Sequence, residues 1–188
     1  MTFAKRWLGW VTVCTILVVS ADTVFAIGVA GPTAVAADYS RSDVVLLVVY
    51  VLMALVLSFL CSIAEAVLLS ITPSYIAGLG RPKPKLAALL KRLKQDNVDQ
   101  SLAAILPLNT IAHTVGAIGS GAKATAVFGS AWFGLFSAIM TLMILFLSEI
   151  IPKTLGAVHW RKLAGVTAHF VRALVVILYP LIWLSEKL

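Results

Sequence analysis

The sequence predicts an all-α membrane protein with three transmembrane helices plus juxtamembrane or interfacial helices, preceded by a signal peptide or signal anchor. Three observations carry this prediction. Of the 188 residues, 61% are hydrophobic and 12% are charged, about half the charged share of a soluble domain, and the mean hydropathy is +1.01. Three runs without formal charge, 44–64, 101–122 and 124–148, are each long enough at ~1.5 Å per residue to cross a ~30 Å hydrocarbon layer. The basic residues flank these runs, and six of the fifteen Lys/Arg fall between Arg81 and Lys94. A formal net charge of +7 invites a nucleic-acid reading, but no aromatic surface for base stacking accompanies it. The expected partner is therefore the lipid bilayer and not nucleic acid.

Taken in order, Lys5 and Arg6 precede an uncharged run over 7–21, and small-residue sites follow at Val24-Phe25-Ala26 and Ala34-Val35-Ala36. That is the layout of a secretory signal; continuing the apolar run past Asp22 to Ala30 makes a signal anchor instead. Both alternatives stay open and assign residues 1–36 to the leader and 37–188 to one membrane domain. The first span is expected at about 44–71, ending at Thr72-Pro73. Gly78, Gly80, Pro82 and Pro84 then break the chain before a basic, leucine-rich segment at about 84–95, which suits a helix on the membrane surface. The positive-inside rule places this segment in the cytoplasm.

The second span, 101–122, carries Pro107, Asn109, Thr110, His113, Thr114 and several glycines. Polar and small residues in a spanning helix face other helices, so this one is expected to be enclosed by its neighbours. The third span, about 126–151, delivers Glu149, Pro152 and Lys153 near the cytoplasmic face. Pro152 has no backbone donor and is expected to kink or end the helix. Within the segment at about 163–185 the apolar run covers only Ala173 to Ser185, 13 residues with Pro180 among them, too short to span, and the segment is read as interfacial with a cytoplasmic C-terminus in the inner (cell) membrane. Cys14 and Cys61 both lie inside apolar runs, so no disulfide framework is indicated.

Chemistry concentrates on three stripes. Ser58, Ser62 and Glu65 stand at i, i+4 and i+7, on one face of the first helix. Asn109, His113, Gly116 and Ser120 repeat that stripe on the second helix, and Glu149 enters from the third. Hydroxyl and amide oxygens with carboxylates suit a hard cation such as Mg²⁺, while an imidazole suits softer ions. Each residue also has a structural reading: the serines as hydrogen-bonders to the carbonyl one turn back, His113 and Asn109 as interhelical links, and Glu65 with Lys153 as an ion pair at the membrane rim. No nucleophile with an orienting base is recognisable, and no enzyme is expected.

Three motifs make the chain similar to a known family, the transmembrane domain of cyclin M and bacterial CorC proteins. They are Leu57-Ser-Phe-Leu-Cys-Ser-Ile-Ala-Glu65, Asn109-Thr-Ile-Ala-His113 and Ser148-Glu-Ile-Ile-Pro-Lys153. The resemblance runs from about residue 42 to the end. It implies a homodimer of three-helix membrane domains with a juxtamembrane belt, holding a dehydrated Mg²⁺ as the transported or bound ion. Carried over by position, the metal ligands are Ser58, Ser62, Asn109, His113 and Glu149, supported by Glu65, Thr110, Pro152 and Lys153. This chain departs from the pattern where Thr110 replaces an asparagine, His113 an amide ligand and Ser148 a glycine. The family implies secondary efflux with Na⁺ as coupling ion. The nucleotide-sensing CBS domains of typical members are not expected within these residues. The alternative reading is a non-transporting scaffold or partner subunit of the same fold.

Overall fold

The computed structural model describes residues 40–186; the leader region 1–36, with its signal and anchor alternatives, and Cys14 lie outside them. Among the described residues seven α-helices occur in the order α1 (Arg41–Ser70), α2 (Pro73–Leu79), α3 (Pro84–Lys91), α4 (Val98–Phe128), α5 (Phe133–Met143), α6 (Ile151–Ile177) and α7 (Tyr179–Glu186). No strand occurs among the described residues. Wide π-type turns over Arg92–Asp96 and Ile144–Ile150 lead from α3 toward α4 and join α5 to α6. Three helical stretches are long and apolar enough to cross a membrane: α1, α4 and the continuous Ser130–Ile177.

Local chemistry sets the helix ends. Asp43 accepts a hydrogen bond from the Ser40 N–H at 3.2 Å in the first turn of α1. The chain leaves α1 through an extended Ile71, and Thr72, Pro73 and a 3.4 Å bond from the Tyr75 N–H to the Thr72 hydroxyl start α2. Proline at a first helical position sacrifices no intrahelical bond, and α3 begins the same way at Pro84. Gly129 adopts φ 85°, which turns the chain from α4 into a short 3₁₀ segment before α5.

Side-chain pairings fix the helix directions. Asp43 meets Lys123, Ser58 meets His113, and the Leu69 carbonyl meets Lys94, so α1 and α4 run antiparallel. Ser58 meets Ser148, Glu65 meets Lys153, and Tyr75 meets Arg161, so α1 and α6 run parallel. Lipid tails are as apolar as leucine, so close backbone contact supplies much of the packing energy. A Cβ on Gly116 would overlap the Ala54 side chain and stand 3.1 Å from the Tyr50 carbonyl. A Cβ on Gly156 would stand 2.9 Å from the Ala66 Cβ. Cys61, Ala64, Val67 and Leu68 of α1 pack with Ala104, Ile105, Ala164, Ala168 and Val171 as the core. Val48, Leu52 and Val56 form an exposed apolar stripe on the opposite face of α1, where a lipid-facing stripe belongs.

Two expectations need correction. Pro152 does not end the third helix: it is buried within the continuous Ser130–Ile177, whose turns widen over Ile144–Ile150 just before it, and the helix runs on to Ile177. A further departure from straight helix falls at His159, with φ −103° and ψ 18°. The segment 163–185 is likewise not one separate helix, because 163–177 continues α6 and only Tyr179–Glu186 forms an element of its own.

Candidate functional site

The site is built around Ser58, fully buried on α1. Its hydroxyl touches His113 Nε2 on α4 and lies 3.3 Å from the Ser148 carbonyl in the turn before α6. In a regular α-helix the Ser148 carbonyl would accept from residue 152, and Pro152 has no N–H to offer it. His113 Nδ1 faces Glu149 Oε1 at 3.6 Å, an electrostatic contact longer than a hydrogen bond. Three helical segments therefore converge through one hydroxyl, one imidazole, one carbonyl and one carboxylate.

The Ser58 hydroxyl has a single proton and two neighbouring acceptors. If it donates to Ser148, His113 Nε2 must carry hydrogen and donate to Ser58. If it donates to Nε2, the imidazole proton sits on Nδ1 and points at Glu149. The first arrangement keeps both contacts as hydrogen bonds, with Nε2–H donating to Ser58 and Ser58 donating to the Ser148 carbonyl.

One helical turn away are two oxygens of a different kind. Ser62 Oγ and Asn109 Oδ1 are buried and have no hydrogen-bond partner among the described residues. Because α1 and α4 are antiparallel and Ser58 is level with His113, Ser62 comes level with Asn109 one turn further along, roughly 5–6 Å away. An unsatisfied buried oxygen is costly, and two at one level form the feature of this bundle that most needs explaining. Ser148, Thr110, Thr141 and Thr154 all bond the carbonyl four residues back; Ser62 does not. The structure thus brings Ser58, His113 and Glu149 together and places Ser62 and Asn109 beside them.

Thr110 is not brought in: it is exposed, and its hydroxyl bonds the Leu106 carbonyl at 3.1 Å. Glu65 pairs with Lys153 at 3.3 Å, one turn beyond Ser62. Sequence reasoning counted Ser148 only as a substituted glycine. Its carbonyl is part of the site, and the signal was the proline four residues on. Among the described residues no cluster of three or more His, Cys, Asp or Glu could hold a metal. Ser58, Ser62, Asn109 and Glu149 offer oxygen donors, and His113 adds one imidazole.

Fold and site define a polytopic helical membrane protein with a polar cluster enclosed between its helices. More particularly, the chain belongs to the cyclin M transmembrane N-terminal domain family, which matches residues 47–188. It is 38% identical over 131 residues to a UPF0053 protein of Synechocystis, covering 70% of this chain and 38% of that protein. It is 31% identical over 144 residues to a UPF0053 protein of Haemophilus influenzae, covering 74% of this chain and 33% of the relative. A chloroplastic DUF21 domain-containing protein of Arabidopsis thaliana is 29% identical over 124 residues, 66% of this chain and 19% of its own length. The chain thus spans less than two-fifths of the length of these relatives.

Proposed function

We propose that this protein moves Mg²⁺ or a closely related divalent cation out of the cytoplasm by secondary transport, with Na⁺ as the coupling ion. The observation that carries the reading is the pair of buried, unpartnered oxygens, Ser62 Oγ and Asn109 Oδ1, beside Ser58, His113 and Glu149. Together these groups supply the oxygen ligands that a partly dehydrated hard cation requires, and the Glu149 charge offsets its desolvation. Membership of the cyclin M transmembrane family supports the same reading. In this proposal the chain lies in the cell membrane with its C-terminus in the cytoplasm, and two copies associate. The test is efflux from Mg²⁺-loaded liposomes. Glu149→Ala should abolish flux, and unchanged flux in that variant would sink the proposal.

A second reading, a non-transporting scaffold, is favoured by one contact. The bond between Ser58 and His113 gives both groups a partner without any ion. Equal melting of the unmodified protein with and without millimolar Mg²⁺ would favour the scaffold.

A further inference from the structure

A second polar cavity lies at the other end of the bundle from Asp43 and Lys123, where α3, the turn after it, the start of α4 and the end of α6 meet. It encloses about 410 Å³. Its walls carry three cations, Lys85 from the first turn of α3, Arg92 from the following π-type turn and Arg172 from α6. None of the three forms an ion pair with a described residue. Asp96 and Asp99, the acidic residues nearest in sequence, are not among those lining it.

The other wall is apolar. Leu89 stands one turn from Lys85 on α3, and Val175 and Val176 stand one turn from Arg172 on α6. Val176 is 69% exposed and the adjacent Ile177 is 70% exposed. Leu89, Val175 and Val176 therefore give the cationic pocket an apolar wall that opens to the surface at Val176. The pocket sits among the Arg81–Lys94 basic residues, at the level where a helical bundle meets the headgroups on its positively charged side.

We propose that this pocket binds the phosphate headgroup of an anionic phospholipid, with Lys85, Arg92 and Arg172 as counter-charges and an acyl chain against Leu89, Val175 and Val176. A soluble phosphoester shares the headgroup chemistry but has no use for the apolar wall. Three cations around one cavity, with no ion-pair partner among the described residues, are an anion site by charge, and arginine is suited to two-pronged phosphate contacts. The proposal involves none of the groups of the cation site and makes no assumption about transport.

The test is lipid retention by the purified full chain in phosphatidylcholine nanodiscs containing a minor fraction of phosphatidylglycerol, read by lipid extraction or native mass spectrometry. Arg92→Gln with Arg172→Gln should weaken phosphatidylglycerol enrichment by about fivefold per charge, or about 25-fold together. Lys91→Gln with Lys162→Gln, which removes two exposed charges outside the cavity, should change enrichment less than about twofold. Equal losses in the two double variants would overturn the proposal in favour of diffuse surface attraction. Displacement of the lipid by millimolar glycerol 3-phosphate would overturn it in favour of a soluble phosphoester. Should the arginine variant fail to fold, Lys85→Gln at an exposed helix start gives the same readout: about fivefold weaker enrichment supports the site, and no change refutes it.

Discussion

Ser62→Ala separates an ion site from a packing defect, because the two assign opposite signs to the same oxygen. Ser62 Oγ is buried and unpartnered, a condition that costs about 1–3 kcal/mol per group. Deleting the oxygen removes that cost and leaves a void of one atom, which takes back a fraction of it. In chelator the variant should therefore be more stable by about 1 kcal/mol, a rise of about 2–4 °C in Tm for a chain of this size. Saturating Mg²⁺ reverses the order. A ligand at a hundred times its Kd stabilises by about 2.7 kcal/mol, and the variant should forfeit most of that gain.

The assay is thermal unfolding in nanodiscs, followed by tryptophan fluorescence with chelator and over a series of Mg²⁺ concentrations. The expected result is two curves that cross. A variant that melts lower than the unmodified protein in chelator, yet keeps the full Mg²⁺ shift, would refute the reasoning. Asn109→Leu provides the matching test on the facing helix, since its Oδ1 is also unpartnered.

Other outcomes follow from the same geometry. Imidazolium cannot coordinate a cation, so divalent affinity should fall on acidification; His113→Asn should flatten that profile and move the preference from Mn²⁺ toward Mg²⁺, read by titration calorimetry. Gly116→Ala should destabilise by up to about 2 kcal/mol, because overpacking at about 1–3 kcal/mol is set against a helix-propensity gain of about 1 kcal/mol. Gly78→Ala, with nothing within 4 Å of the added Cβ, should leave stability unchanged or raise it by up to about 1 kcal/mol in the same melt. Lys153→Met strands the Glu65 carboxylate, which is only 20% exposed, and should cost about 1–3 kcal/mol, whereas the double change with Glu65→Gln should recover most of it in a thermal double-variant cycle.

The spans were legible because membrane burial demands long uncharged runs, and no other structure satisfies the backbone over such lengths. The stripes of Ser58 with Ser62 and of Asn109 with His113 were legible for a similar reason, since the helical period puts residues four apart on one face. The path through Pro152 was not. A proline in an apolar run is compatible with a helix end, a kink or a first helical position. Which one occurs depends on whether the turn before it can widen, as it does over Ile144–Ile150. That widening is a tertiary outcome, set by what α1 presents to the turn. Thr110 fails for the opposite reason: it is adjacent to Asn109 in sequence, but about 100° around the helix, and its hydroxyl is spent on its own backbone.

The pairing of levels was hidden as well. Nothing in either helix alone says that Ser58 faces His113 while Ser62 stands level with Asn109. The alignment comes from where the backbones approach most closely, at Gly116 against Ala54 on α4 and at Gly156 against Ala66 on α6. These contacts are set by residues with no polar chemistry, yet they decide which polar groups meet. Ser58 is the consequence that matters most, because its one hydroxyl joins α1 to both His113 of α4 and the Ser148 carbonyl before α6. A cation that binds Ser58 takes a lone pair of that oxygen and repels the proton of any donor aimed at it. The bond to His113 must then change its donor or break, while the bond to the Ser148 carbonyl is strengthened by the polarised hydroxyl. Binding an ion at this level therefore alters the link between α1 and α4 differently from the link between α1 and α6. Unequal coupling of that kind is what a bundle needs if a site enclosed between its helices is to open to one side at a time.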